Sequence, residues 1–319
     1  MRNIYLNLIQ NCTKHILKKQ NSTNTAKFTK MKNKKIDEQN NKIKDYINTN
    51  YTVKGELTFV EQTNGVYIVN CDGDIRVKNS EIESITNGSF RFGKVSGDFS
   101  CYSCGNLKSL KGAPEEVGKN FDCSKCPNLV SLEGAPDNVG GCFYCDDCYN
   151  LTSLEGSPKK VGEGFYCHRC PGLTSLEGAP KEVEGCFDCH DCYNLTSLEG
   201  APNWVGRNFW CYSCPKLTSL EGAPRKVGGG FYCSSCRKLE TLEGAPKETG
   251  SSFDCSYCEL LKSLEGAPNI VGGYFDCSYC ELLKSLEGAP NIVDWHFDCS
   301  GCKNLQIINH YRKKYRIES

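Results

Sequence analysis

The chain has 319 residues, 38 basic and 38 acidic side chains, 39% hydrophobic residues and 24 cysteines. A formal charge of zero excludes a broadly polycationic binder, and no apolar run is long enough to cross a bilayer as a helix. The balance hides an asymmetry: residues 1–36 carry nine Lys or Arg and no acid, leaving 29 basic against 38 acidic side chains in the remainder.

In chain order, residues 1–33 read as a disordered basic tail, because a polar Lys/Asn-rich stretch buries too little to fold. Met1 to Gln20 lacks the continuous apolar region of a secretory signal, so the expectation is a soluble cytoplasmic protein. Ile4, Leu8, Cys12 and Ile16 can also line one face of a short basic helix, which keeps a mitochondrial-type presequence open. Residues 34–98 read as a small α+β cap. Ile36, Ile43, Tyr46 and Ile47 predict a helix over 34–48. The β-formers from Tyr51 to Val77 are punctuated by Thr63-Asn64-Gly65 and Asp72-Gly73-Asp74, which predict turns and a hairpin. Ile82, Ile85 and Val95 anticipate the later core positions, so residues 77–98 read as a degenerate leading coil.

Residues 99–308 are one 22-residue phrase written ten times, with Phe at 99, 121, 143, 165, 187, 209, 231, 253, 275 and 297. A fixed period of this length predicts a stacked repeat, here a β solenoid of ten coils. Phe-x-Cys has a period of two, which puts Phe and Cys on the inner face of a short strand and the residue between them on the outer face. Leu-Glu-Gly-Ala-Pro then turns the chain. Phe253 to Val271 and Phe275 to Val293 are identical over 19 residues, as expected of a duplicated unit. Residues 309–319 read as a basic C-terminal tail that closes the stack.

Phe143, Cys145, Cys148 and Leu151 match in order the Leu-x-Leu-x-x-Asn/Cys-x-x-Leu phrase, and the repeat resembles a leucine-rich repeat. It is also similar to short repeats of bacteriophage, bacterial and large-virus proteins written F-x-C-S-x-N-x-L-T-S-L-E-G-A-P. The resemblance covers roughly residues 77–308. It implies strands along a concave face and an extended convex side, with Cys standing where the usual Asn would form a hydrogen-bond ladder.

Three readings of the cysteines stay open. The leading one is a reduced ladder of small hydrophobes buried between Phe and Leu. The C-x2-C-x18-C-x2-C spacing also fits a four-thiolate zinc site, for example Cys123, Cys126, Cys145 and Cys148. Disulfides between adjacent coils are the third. Cys142 and Cys186 precede Phe and are expected to face solvent.

The residue after Phe runs Ser100, Asp122, Tyr144, Tyr166, Asp188, Trp210, Tyr232, Asp254, Asp276 and Asp298. Its centre is aromatic, and Asp146, Asp147, His168, Arg169, His190, Asp191 and Tyr212 lie beside it. Rigid aromatic side chains with polar neighbours have the composition of binding hot spots. The candidate partner-binding face is therefore Tyr144, Tyr166, His168, Asp188, His190, Trp210, Tyr212 and Tyr232; the two histidines stand at one repeat position on adjacent coils beside Asp146 and Asp147, where a metal or acid–base pair is the minor alternative to the expected exposed surface. The competing explanation is that Tyr and Trp merely favour strands. No nucleophile, base and orienting group recur together, so the expectation is a monomeric, non-catalytic scaffold for an unidentified protein partner, with no cofactor and no metal. A nucleic-acid groove would need a basic stripe that the repeats lack.

Overall fold

The computed structural model describes residues 27, 29–63, 65–306 and 309–315. The Ile4, Leu8, Cys12 and Ile16 stripe lies outside the described residues, as does most of the predicted tail. The chain divides into two compact units, Met1–Thr49 and Asn50–Ser319. In the first, helix α1 (29–50) begins before the predicted 34, inside the stretch assigned to the tail. Lys30, Lys32, Lys34 and Lys35 are adequate helix formers. Ile43 and Ile47, one turn apart, are buried.

The second unit is a β solenoid of about eleven turns. It opens with strands β1 (Tyr51–Lys54), β2 (Leu57–Glu61), β3 (Tyr67–Cys71), β4 (Asp74–Val77) and β5 (Phe90–Val95). β2 and β3 form the predicted hairpin, whereas the 72–74 turn is a corner that sends β3 and β4 into different sheets. β4 pairs antiparallel with β1 and parallel with Phe99–Ser100, so it starts the ladder of Phe strands. β3 pairs with β5, and β5 with Glu116–Val117, which starts a second ladder. Ile82, Ile85 and Val95 are buried, and the leading coil is a full turn of the stack.

Each of the ten repeats contributes a two-residue strand at Phe, and the first nine contribute, unanticipated from the sequence, another at Val, or at Thr249 in the coil from Phe231. The Phe strands and the two cap strands make one 12-stranded sheet, and the coil-to-coil register is 22 residues, as in Phe143↔Phe165. The Val strands fall into two six-stranded sheets, divided between Lys160–Val161 and Glu182–Val183: the first joins three of them to β5, β3 and β2, and the second is made of the other six. After Val the chain passes so close to the previous coil that a Cβ on Gly140 would lie 2.2 Å from the Gly118 carbonyl oxygen, which explains Gly there.

The core is a set of columns. Phe rings from Phe99 to Phe297 stack at 5.1 to 5.6 Å between centroids. Burial of one such ring contributes roughly 1.5 to 3 kcal/mol before entropy, so a single coil is weak and the stack is strong. The Cys-x-x-Cys segment is a tight turn whose third residue is left-handed, for example Lys125 at φ 55° and Ser235 at φ 58°. In the last coil that position is Gly301, which takes the conformation without Cβ strain.

The second thiol of every pair after the first makes a recurring bond. Sγ of Cys126, Cys148, Cys170, Cys192, Cys214, Cys236, Cys258, Cys280 and Cys302 donates to the carbonyl of the first Cys of the preceding coil, at 3.1 to 3.5 Å. The thiols thereby supply the coil-to-coil side-chain bond that the resemblance assigns to Asn. All described cysteines are free thiols. Burial pushes the Cys192, Cys236 and Cys280 thiols up to about 12, which keeps the donating proton in place.

At the far end helix α2 (Asn309–Tyr315) closes the Phe column. The Tyr315 ring stacks on Phe297 at 4.1 Å, and its hydroxyl donates to the Pro290 carbonyl. Arg312, Lys313 and Lys314 lie in the last turn, where cations suit the helix dipole.

Candidate functional site

In the ordinary coils the outer face of the Phe strand carries an Asp-x-Ser turn. Asp122 Oδ1 accepts from the Ser124 amide at 3.0 Å and hydroxyl at 2.5 Å, and Asp254 with Ser256 repeats this at 2.9 and 2.7 Å. That pair closes the turn before the left-handed residue and belongs to the scaffold. Five consecutive coils abandon it, replacing Asp/Ser by Tyr144/Asp146, Tyr166/His168, Asp188/His190, Trp210/Tyr212 and Tyr232/Ser234.

The parallel register then brings like positions together. Tyr144 and Tyr166 stack at 4.9 Å, and beyond Asp188 the Trp210 and Tyr232 rings lie 6.4 Å apart. A Cβ on Gly164 would lie 2.5 Å from Tyr166 Cε2, so the Tyr166 ring rests across a bare backbone. In the neighbouring row His168, His190 and Tyr212 form a continuous stack with spacings of 4.5 and 4.4 Å.

Asp188 is the hub. Its Oδ1 accepts from the His190 amide at 3.1 Å and faces His190 Nδ1 at 2.7 Å, so an imidazole takes the place of the usual Ser hydroxyl. Its Oδ2 lies 3.5 Å from His168 Nδ1. His190 Nε2 faces Asp191 at 3.7 Å, whereas His168 Nε2 lies 3.3 Å from Arg169 Nη2 and 3.7 Å from Asp146. Arg169 holds Asp147 through two bonds of 2.8 and 2.9 Å.

The histidines are not the exposed pair expected. Their side chains are only 16% and 13% accessible, because stacking between coils covers both faces of the His190 ring and one face of the His168 ring. Burial lowers the pKa of His168 against the pull of Asp188 and Asp146, and burial raises that of Asp146. Of the eight candidate residues, Asp188 is buried beneath the imidazoles and the other seven are partly exposed on one sheet face. Among the described residues, His168, Asp188 and His190 are the sole group of three or more His, Cys, Asp or Glu whose ligand atoms lie within 4.8 Å of one another. Cys123, Cys126, Cys145 and Cys148 lie in the core, where Cys123, Cys126 and Cys148 donate to backbone carbonyls.

Cys142 also departs from expectation. It is 8% exposed, with its amide on Asn120 Oδ1 at 2.8 Å and its thiol on Glu163 Oε2 at 3.4 Å. The corner between the Val and Phe strands folds it under its neighbours, and burial raises its pKa. Cys186 is half-buried. The Cys142–Glu163 contact and the hub role of Asp188 were not read from the sequence; the signal available was the loss of the Asp-x-Ser pair in consecutive coils. Nearer the cap, a cleft of about 850 Å³ is lined by Lys54, Arg76, Lys78, Asp74, Asp98 and Asp122 among others. Its mixed charges lack the converging donor set of the central coils.

A scan against protein-family models, a search of curated proteins and a search of solved structures each returned no match.

Proposed function

We propose that the protein is a non-catalytic, leucine-rich-repeat-like scaffold that docks a protein partner on the central coils of its Phe sheet, through Tyr144, Tyr166, Trp210, Tyr212 and Tyr232. One observation carries this reading: between the coils at Phe121 and Phe253, which write the same Asp-x-Ser turn, five consecutive coils give it up for an outer face of stacked aromatic rings. Folding does not require the change, since the coils on either side keep the turn. Tyr and Trp held by stacking present large amphipathic area with little left to immobilise, which is how hot spots bind at low entropic cost. His168, His190 and Asp188 add polar edges that favour one partner over others. The protonated thiol ladder suits a reducing compartment such as the cytoplasm.

The test compares capture of cross-linked partners from the source lysate by wild type and by the Tyr166→Ala/Trp210→Ala double variant. Circular dichroism checks that the fold is intact. The expected result is loss of a discrete partner band with the variant. An identical captured set would remove this face as the docking site.

A further inference from the structure

The imidazole and carboxylate groups of the central coils have an arrangement that partner docking does not need. Both Nδ1 atoms, of His168 and His190, converge on Asp188, while His190 Nε2 faces the Asp191 carboxylate and His168 Nε2 lies between Asp146 at 3.7 Å and Arg169 Nη2 at 3.3 Å. His190 shows the division found in metal-binding histidines: one ring nitrogen goes to the cation, and the other is oriented by a carboxylate. A second observation is independent of that pattern. His168 Nδ1 is buried and has no hydrogen-bond partner, although an imidazole nitrogen left so is costly.

We propose that His168, Asp188 and His190 bind one divalent first-row transition cation such as Zn²⁺, through His168 Nδ1, His190 Nδ1 and an oxygen of Asp188. Two imidazoles and a carboxylate suit Zn²⁺, Cu²⁺, Ni²⁺ or Co²⁺, whereas Mg²⁺ and Ca²⁺ require more oxygen donors. Metal–ligand bonds of about 2.0 to 2.2 Å put tetrahedral donors about 3.3 to 3.6 Å apart. His168 Nδ1 and Asp188 Oδ2 already stand at 3.5 Å. His190 Nδ1 is closer to Asp188, at 2.7 Å, as a hydrogen bond requires. The cation replaces the Nδ1 proton of each neutral ring, and solvent returns a proton to Nε2, which then points toward Asp191 in His190 and toward Asp146 in His168 while Arg169 stays on Asp147, so no net proton is released. The parallel rings, 4.5 Å apart, turn toward each other about χ2, a soft torsion for His, to aim both lone pairs at one point. Asp146, Asp147, Asp188 and Asp191 outnumber Arg169 and Lys125, so the local charge favours a dication. With three protein ligands, the fourth position stays open for water or an added donor.

The site does not depend on the aromatic row docking a partner, because its readout is the cation alone. The experiment titrates the full reduced chain with Co²⁺, then displaces it with Zn²⁺. One Co²⁺ per chain is expected, with ligand-field absorption of nitrogen and oxygen ligation and no thiolate charge-transfer band. The discriminating variant is His168→Ser/His190→Ser, which restores the repeat's own residue at both positions, as in Ser124 and Ser256, and so preserves the fold. It should bind at least roughly 100-fold more weakly. His296→Ala, outside the cluster, should bind as wild type. An unchanged titration in the double Ser variant, a thiolate band, or no saturable binding by wild type would each overturn the proposal.

Discussion

The thiol ladder makes the solenoid sensitive to alkali, and the size of the effect follows from burial. The eighteen paired thiols from Cys101 to Cys280 are at most 1% exposed. Burial raises those in the interior well above the ordinary value of 9.0, as at Cys145 and Cys211. Nine second-position thiols also need their protons for the bonds to carbonyls. As pH rises through 9, the unfolded chain releases thiol protons that the native state retains. The unfolded state then binds fewer protons, so the free energy of unfolding falls with pH. The loss sets in below pH 9, at roughly 0.2 kcal/mol per thiol at pH 8.5, and becomes negligible near pH 7.5. Each contributes a loss of about 0.4 kcal/mol at pH 9 and about 1.4 kcal/mol at pH 10, on the order of 7 and 25 kcal/mol over the set. Typical domain stability is about 5 to 15 kcal/mol, so the ladder should collapse within that interval. Circular dichroism and thiolate absorbance, followed together under reductant from neutral pH upward, should change in one cooperative step between about pH 9 and 10.5. Thiolate rising on an ordinary single-group curve centred near 9, with circular dichroism unchanged, would refute the buried, proton-dependent ladder.

Two further outcomes test the stack itself. Phe187→Ala removes a ring that is wholly buried between Phe165 and Phe209; it should cost about 3 to 5 kcal/mol in urea unfolding, and a loss below about 1 kcal/mol would deny the Phe column its role. Ser235→Gly relieves a left-handed residue at φ 58°; the strain of roughly 1 to 2 kcal/mol less glycine's entropic cost should leave a gain of about 0.5 to 1 kcal/mol, and an unchanged or lower urea midpoint would show that the turn carries no strain.

The Phe, Cys and Leu columns follow from sequence alone, because identical side chains at a fixed period can be buried only by stacking like on like. The same logic marked the central coils as unusual and placed Tyr144, Tyr166, Trp210 and Tyr232 in one row. The leading coil was recoverable because Ile82, Ile85 and Val95 keep the period. What the tertiary structure alone decided are contacts between residues about 22 to 25 positions apart. The Val strands are two residues long, too short to show alternation, and only pairing with the next coil makes them strands. The thiol-to-carbonyl bonds depend on a carbonyl 25 residues back, which no local pattern announces. His168 and His190 were placed at one repeat position on adjacent coils, but were read as exposed because that position faces outward. Stacked in register they shield one another and close over Asp188, turning two surface imidazoles into a converging set of ligand atoms. In a solenoid the sequence specifies each column, and the height of one coil determines which chemistry meets across it.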